Sequence, residues 1–381
     1  MPDRGLRRRA AQACALVAIA WAALAGCGGD DEAGCGEREG GVVAAYTATS
    51  PRGDRPPSGA VDAAVDVMCE RAEGLGVTVE IRRGGADRVE VEVDGGRQRE
   101  LEAVTAPGRL RFSDWEPNVV GDPNVPHNGL AEAIGAAARA KPRAEETDLP
   151  PGGPPDAVEQ RFAGDARKIR EHYDVENDSA GDRYYVLDAA GEPVRPGGAR
   201  SAPGGSDVNA FSAEPRTPPP GGKLVRVPRG IAIVQAERPE GATENTPSQY
   251  FVVEDDAELS GTDVRNPEQT SDAQTNEPIV TMEFTDRGKT AFARVTKRIA
   301  KRGQETLPQP GQPPEARFQR FMIALDGQIV SLATIDFIRN PEGIDAATGA
   351  QINGIGSAEE TKDLANSLRI GPLPVRLERV R

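Results

Sequence analysis

Residues 77–93 read VTVEIRRGGADRVEVEV, and this stretch decides the fold of the N-terminal part of the chain. In residues 77–81, and again in residues 88–93, apolar side chains alternate with polar ones, which is the period of strands that bury one face. Gly84 and Gly85 fall between the two runs, where the chain must reverse its direction. The stretch therefore predicts an antiparallel hairpin.

The segments on either side extend the hairpin to a strand-helix-strand-strand-helix-strand order. Residues 41–50 (GVVAAYTATS) predict a strand, and residues 58–75 a helix with its apolar residues on one face. A short helix at residues 97–104 and a strand at residues 109–112 follow the hairpin. This order is that of a ferredoxin-like fold, an antiparallel sheet with helices on one face. We expect an α+β protein whose ferredoxin-like base block spans residues 41–114.

Glycine and proline indicate where the base block ends. The chain has 43 Gly and 32 Pro among 381 residues, and 15 of the prolines lie in residues 115–222. We expect this segment to be a Pro/Gly-rich, loop-rich insert with one helix at residues 156–173 and one strand at residues 183–188. Regular patterns return at Lys223, so we assign residues 223–381 to an α+β head with closing base elements.

Local signals within this last block are specific. Asp326-Gly327 is a two-residue turn signal inside an apolar run, which predicts a hairpin. Ser357 and Glu360 have the spacing of a helix capping box. The remaining elements are predicted as strands at 230–236, 249–254, 278–284 and 375–380, and a helix from Thr285 or Asp286 through Ala300.

Residues 1–26 are typical of an export signal and not of a folded element. Four arginines at the start precede a run of apolar and small residues that ends in Leu24-Ala25-Gly26-Cys27, a pattern similar to the lipobox of bacterial lipoproteins. We expect a diacylglycerol group on the Cys27 thiol, followed by a polar tether over residues 27–40. The alternatives are an ordinary signal peptide or a short membrane anchor, although the run is shorter than the ~20 residues that a spanning helix needs.

Charge and hydropathy restrict the class of protein further. The chain has 60 Asp and Glu against 46 Lys and Arg, a formal charge of −14 that falls to −17 without residues 1–26. So acidic a chain is unsuited to sequence-independent binding of nucleic acid, because phosphates attract cationic surfaces. No later run of apolar residues is long enough to predict a membrane span. We expect an acidic body held by acyl chains at the extracytoplasmic face of the cell membrane.

Two cysteines remain beyond the export signal and the lipobox, Cys35 and Cys69. In an oxidising compartment they would form a disulfide that ties the tether to the first helix. The alternative is two unrelated thiols, one of them buried. We favour the disulfide, because Cys35 lies in a polar stretch where a free thiol would be exposed.

The sequence predicts no catalytic, cofactor or metal site, so we expect a protein that is not an enzyme. Gly288-Lys289-Thr290 imitates the end of a phosphate-binding loop, but Glu283 holds the place of its first glycine, which favours Lys289 in the first turn of a helix. His127 and His172 lack companions at metal-ligand spacing. Residues 174–178 lack the glycine and the final glutamate of a calcium loop, which leaves a weak, adventitious calcium contact as the alternative. No Gly-x-Ser-x-Gly elbow is present.

A set of short segments in the C-terminal block resembles the large extracytoplasmic domain of SecD, the accessory subunit of the Sec protein-export channel. Each segment is weak alone, but their order and spacing are specific as a set. The N-terminal run RAEGLGV at residues 71–77 is also similar to that family. The C-terminal segments are YFVV at 250–253, LSGTDV at 259–264, PIV at 278–280, FTDRGKTAF at 284–292, IALDG at 323–327, GAQING at 349–354, DLA at 363–365 and GPLP at 371–374.

The resemblance implies a domain that contacts an unfolded chain as it leaves the channel. In SecD the domain is preceded by one transmembrane helix and followed by five, which are implicated in coupling export to proton flow. Here a lipobox takes the place of the first helix and the sequence ends at Arg381, so we expect no proton-driven part in this polypeptide. The expected partners are unfolded exported polypeptides or Sec subunits, with Tyr250 and Phe251 in contact. The alternative is an envelope interaction module without a Sec role.

Overall fold

The computed structural model describes residues 34–36, 41–50, 55–56, 58–94, 98–142, 181–194, 207–212, 214–237, 246–353 and 357–380. The predicted export signal, the Cys27 lipobox, the helix predicted at residues 156–173, His172 and the acidic stretch 174–178 lie outside these residues.

The described residues form six α-helices, which we number in chain order. They are α1 (Ser58–Leu75), α2 (Gln98–Thr105), α3 (Trp115–Asn118), α4 (Leu130–Arg139), α5 (Asp286–Glu305) and α6 (Ala358–Ile370).

The same residues form eighteen strands in four sheets. They are β1 (Gly34–Cys35), β2 (Gly41–Thr49), β3 (Val79–Arg83), β4 (Arg88–Asp94), β5 (Leu110–Asp114), β6 (Arg183–Leu187), β7 (Pro193–Val194), β8 (Phe211–Ser212), β9 (Lys223–Val227), β10 (Ile231–Gln235), β11 (Tyr250–Glu254), β12 (Leu259–Ser260), β13 (Val264–Ser271), β14 (Pro278–Phe284), β15 (Gln319–Leu325), β16 (Gln328–Ile335), β17 (Ala350–Ile352) and β18 (Arg376–Val380).

The base sheet has the order β1-β3-β4-β2-β18, and all its pairs are antiparallel. The hairpin predicted from residues 77–93 is present, with Val79 opposite Val93. Its inward side chains, such as Ile81, Val89 and Val91, are fully buried against α1. The order β3-β4-β2-β18 is that of a ferredoxin-like sheet, so the α+β fold class is confirmed.

The fourth strand of this base sheet corrects the sequence prediction. We expected residues 109–112 to supply it, but β5 belongs to another sheet and β18 pairs with β2 instead, Arg376 opposite Thr49 and Val380 opposite Ala45. Gly108, with a φ of +72°, redirects the chain just before β5. Leu110 and Phe112 are then buried in the core of the head. The two candidate strands have similar local patterns, and only long-range packing selects between them.

A buried arginine joins the two chain segments that pass between the base and the head. Arg71, in α1, is 0% exposed and donates hydrogen bonds to the carbonyl oxygens of Val104, Ala106 and Gly371. The first two acceptors lead into β5, and the third leads into β18. Arg71 thus fixes the outgoing and the returning segment side by side.

The head is built on a six-stranded sheet of order β11-β10-β16-β15-β5-β12. The predicted hairpin at Asp326-Gly327 is present between β15 and β16, and both turn residues have positive φ, 51° and 81°. That geometry is the one a two-residue hairpin loop requires. Helix α5 covers one face of the sheet with Phe292, Val295 and Ile299.

A second head sheet, β13-β14-β17, packs against α6. The predicted capping box of α6 is present, because Glu360 N–H donates to Ser357 Oγ at 3.2 Å and Ser357 N–H donates to a Glu360 carboxylate oxygen at 2.8 Å. Thr285 caps α5 in the predicted place by accepting from Gly288 N–H at 3.0 Å. Lys289 therefore lies in the first turn of α5, as predicted.

The described parts of the segment 115–222 contain more regular structure than its proline content suggests. Trp115, in α3, is 0% exposed and packs with residues of β10, β11 and β15, while α4 packs on β9, β10 and β11. Strand β6 pairs with β7 and β8 on one side and with β9 on the other. The prolines are unevenly spread inside the segment, so an average over its length hides the helical run 130–139.

Candidate functional site

A cavity of about 140 Å³ lies against the face of the six-stranded head sheet that α5 does not cover. It is bounded by the head sheet, by β6 and β8, and by the start of β18, so base and head both contribute to it. Tyr185, Val208 and Phe211 form an apolar wall. Its floor is made of small and apolar side chains, namely Ala232, Val234, Val253, Met322 and Ala324.

A buried carboxylate holds two of the arginines that line this cavity. The side chain of Asp255 is 0% exposed and forms ion pairs with Arg111 and Arg183. Arg183 also donates to the carbonyl oxygen of Ile231. Removing one partner of a buried ion pair strongly destabilises the folded protein, because the other charge remains without its counter-ion. Asp255 therefore fixes the positions of both guanidinium groups.

A third arginine, Arg376, has a different environment. Its guanidinium lies 3.9 Å from the ring centroid of Phe211 and donates to the Phe211 carbonyl oxygen at 3.1 Å. Among the described residues no carboxylate lies within 4 Å of it. Burial, together with the nearby charges of Arg109 and Arg183, lowers the pKa of Arg376 to about 10, against the opposing effect of Glu378.

The turn residue Asp326 closes another side of the cavity. Its carboxylate accepts hydrogen bonds from the backbone N–H groups of Gly108 at 3.1 Å and Arg109 at 2.8 Å. Burial raises the pKa of Asp326, although these two hydrogen bonds and the charges of Arg71 and Arg109 oppose that rise. The contact ties the head hairpin to the segment that leaves the base.

The charge of the cavity lining is the reverse of that of the chain. Acidic residues exceed basic ones by 14 over the whole sequence. The cavity lining instead has four arginines and three acidic residues, namely Arg109, Arg111, Arg183 and Arg376 with Glu254, Asp255 and Asp326. The lining is therefore locally cationic in an acidic protein.

Sequence reasoning missed these arginines. Arg111 alternates with the buried Leu110 and Phe112, and the strand period then suggests that it faces water. It faces the cavity instead, because the second face of the head sheet is also covered. The residue types in 110–114 (LRFSD) gave no signal of this, because Ser113 and Asp114 are polar although the structure buries both.

Tyr250 and Phe251, the predicted partner contacts, begin β11 and differ in exposure. Tyr250 is 6% exposed and belongs to a buried cluster, whereas Phe251 is half-buried with its ring 4.8 Å from that of Trp115. The outer edge of β11 is paired with residues 119–127, including His127 N–H to Tyr250 O at 2.7 Å. Added strands therefore have no access to this edge, and Phe251 is the residue of the pair with accessible surface.

The structure also describes the two cysteines of the predicted disulfide and one of the two histidines in the sequence. Cys35 in β1 and Cys69 in α1 are joined by a disulfide bond. His127 Nδ1 lies 3.3 Å from Glu132, and that contact lowers the pKa of the Glu132 carboxyl. No group of His, Cys, Asp or Glu suited to a metal ion occurs in the part of the chain that the structure describes.

Comparison with known proteins shows what part of the head resembles. Residues 236–375 match the family model described as SecDF, P1 head subdomain. This span contains β11 to β17 with α5 and α6. The four cavity arginines lie outside it. Residues 236–375 are thus similar to a SecDF P1 head subdomain.

Two curated SecD proteins are similar to part of the chain. It is 35% identical to protein translocase subunit SecD of Streptomyces coelicolor over 122 residues, 31% of this chain and 18% of that protein. It is 31% identical to the same subunit of Acidaminococcus fermentans over 132 residues, 34% of this chain and 25% of that protein. The similarity to SecD thus covers about a third of this chain and at most a quarter of the length of these curated relatives.

A solved structure described as the membrane component SecDF that enhances protein export is also similar. It shares 16% sequence identity with a TM-score of 0.42, and the similarity covers 89% of this chain and 98% of that one. Among the helices that the structure describes, none combines the length and the apolar character needed to span a bilayer.

Proposed function

We propose that this chain is a lipid-anchored, extracytoplasmic accessory to protein translocation that binds unfolded exported chains or Sec components. The observation that carries the proposal is the match of residues 236–375 to the SecDF P1 head subdomain. The two SecD relatives are named subunits of the protein translocase, which supports the same role.

The surface beside β11 supports the choice of a contact region. Val125 is 62% exposed and lies in the segment that covers the outer edge of β11, and Phe251 is half-buried in the same strand. Contiguous apolar patches at a surface are typical of sites that bind other chains, and the proposal takes Val125 and Phe251 as parts of one such patch. An unfolded polypeptide presents apolar side chains without a fixed sequence, so contacts of this kind suit it.

The anchor is the second part of the proposal. A diacylglycerol on Cys27, with further acylation, would hold the domain at the membrane, since one acyl chain alone binds only marginally. In a cell that makes this protein, Cys27→Ser is expected to release it from the membrane fraction. A Cys27→Ser protein that sediments with membranes as before would contradict the lipid anchor.

Photocrosslinking in cells tests the translocation role. A photoreactive phenylalanine analogue at Phe251 or at Val125 is expected to crosslink to exported chains or to Sec subunits. The matched control is Leu307, which is 83% exposed and follows α5 on the other side of the head sheet. Crosslinks to neither class of partner would overturn the role in export, and crosslinks to other envelope proteins alone would identify an interaction module.

A further inference from the structure

The environment of Arg376 points to a ligand and not to a purely structural role. Its guanidinium is held by an aromatic ring and a carbonyl oxygen, and within the described residues no carboxylate lies within 4 Å. Arg109 and Arg183 add positive charge nearby, and Glu378, which is itself paired with Arg216, adds negative charge. Arg376 is half-buried, so its charge is partly removed from water, and such a cation is costly unless it is paired. A negative group entering this cavity would therefore be favoured.

The lining specifies the charge of that group. With four arginines against three acidic residues, the lining has a formal excess of one positive charge. A guanidinium presents parallel N–H donors that match the two oxygens of a carboxylate. A single carboxylate satisfies both the charge and the geometry, whereas a doubly charged phosphate would exceed the available charge.

The floor specifies what the carboxylate is attached to. Val234, Val253 and Met322 offer apolar surface next to the arginines, and Tyr185 and Phe211 add aromatic walls. The volume of about 140 Å³ is roughly ten times what one water molecule needs, which is room for a group of several heavy atoms. An apolar group bonded to the carboxylate would displace water from this floor.

We propose that the cavity binds a carboxylate attached to an apolar group, with Arg376 holding the carboxylate. Two sources have this chemistry, namely the free C-terminus of a polypeptide that ends in an apolar residue, and a short fatty acid. The inference concerns the cavity alone and does not depend on the role in translocation. Because β5, β6 and β18 supply the arginines, the site exists only when base and head are joined.

The ligand comparison is made on the purified full chain in detergent. A fluorescein-labelled peptide that ends in Ala-Leu-Leu with a free carboxylate is compared with the same peptide ending in an amide, by fluorescence anisotropy. The loss of one charge-assisted bidentate contact predicts roughly tenfold weaker binding of the amide. The proposal is overturned if the two peptides bind equally, or if neither binds, and if hexanoate in the second arm below also shows no preference over hexanamide.

Variants test the assigned residue. Arg376→Gln is expected to remove the preference for the free acid, and Arg376→Lys to retain part of it through the charge alone. Arg339→Gln is the matched control, because the Arg339 side chain is 86% exposed and does not line the cavity. Thermal unfolding checks that each variant is folded. If Arg376→Gln fails to fold, the comparison of acid and amide on the unmodified chain still decides.

A second arm separates the two sources. Hexanoate and hexanamide are compared as ligands and as competitors of the labelled peptide, since both are too short to partition strongly into micelles. Displacement of the peptide by hexanoate but not by hexanamide supports the proposal for both sources. Binding of hexanoate without any binding of the peptide supports it with a fatty acid as the source. No preference for either acid over its amide overturns it.

Discussion

The two faces of the six-stranded head sheet are built from the same strands but do different things. On the α5 face, Phe112 and Phe321 stack at 5.9 Å and are joined by Phe284 and Phe292 at 5.0 to 6.0 Å. On the other face, β5 and β15 present Arg111, Ser113, Met322 and Ala324, none of them aromatic, and the arginine-lined cavity lies against these side chains. The packed rings stabilise the α5 face, and the absence of such rings on the other face leaves room for the cavity.

The largest expected effect is on the aromatic face. Phe112→Ala removes a ring that is 0% exposed and contacts two others, so it is expected to lower the free energy of unfolding by about 4 kcal/mol. The matched change on the cavity face is Ala324→Val, which is expected to cost less than about 1 kcal/mol because the methyl groups enter open space. Urea unfolding measures both, and equal costs would erase the contrast between the faces.

The next effect concerns the charges of the cavity face. Asp255→Asn removes the buried carboxylate charge that pairs with Arg111 and Arg183, and is expected to cost about 3 kcal/mol. The control is Glu342→Gln, which breaks only the exposed pair with Lys297 and is expected to have no measurable effect. If Asp255→Asn leaves the free energy of unfolding unchanged in the same experiment, the ion pairs do not hold this face together.

A smaller effect is expected at the wall of the cavity. The Tyr185 hydroxyl donates to the Val208 carbonyl oxygen at 2.7 Å in a buried position. Tyr185→Phe is expected to cost about 1 kcal/mol, because the carbonyl loses its donor. Tyr184→Phe, at the neighbouring half-buried residue, is the control and should cost less. If calorimetry shows the reverse order, the wall does not depend on this hydrogen bond.

The smallest effect is a dependence on pH at the turn that closes the cavity. Burial raises the pKa of Asp326, so the folded state holds this proton more tightly than the unfolded state does. Stability contributed by the residue is therefore present at low pH and falls as the pH rises through the folded-state pKa. The free energy of unfolding of the wild-type chain minus that of Asp326→Asn is expected to decrease from pH 4 to pH 7. A difference that grows over this range contradicts the direction.

Local signals predicted much of the fold, since an alternation of side chains, a turn and a cap act over a few residues. The hairpin about Gly84-Gly85, the turn at Asp326-Gly327 and the cap at Ser357 all follow from such signals. The exchange of β5 for β18 in the base sheet was not predictable, because strand pairing is settled by distant residues. The role of Arg111 was missed for the same reason, as its partner Asp255 is far along the chain.

The position of β18 has a consequence for the order of folding. Ribosomes and export channels release a chain from its N-terminal end, so β2 emerges long before residues 376–380, its only partner on that side. Until then β2 is an open edge, the kind of template on which chains aggregate. Pairing over so long a separation is also slow. A strand near the C-terminal end of the described residues thus protects one of the earliest strands of the chain.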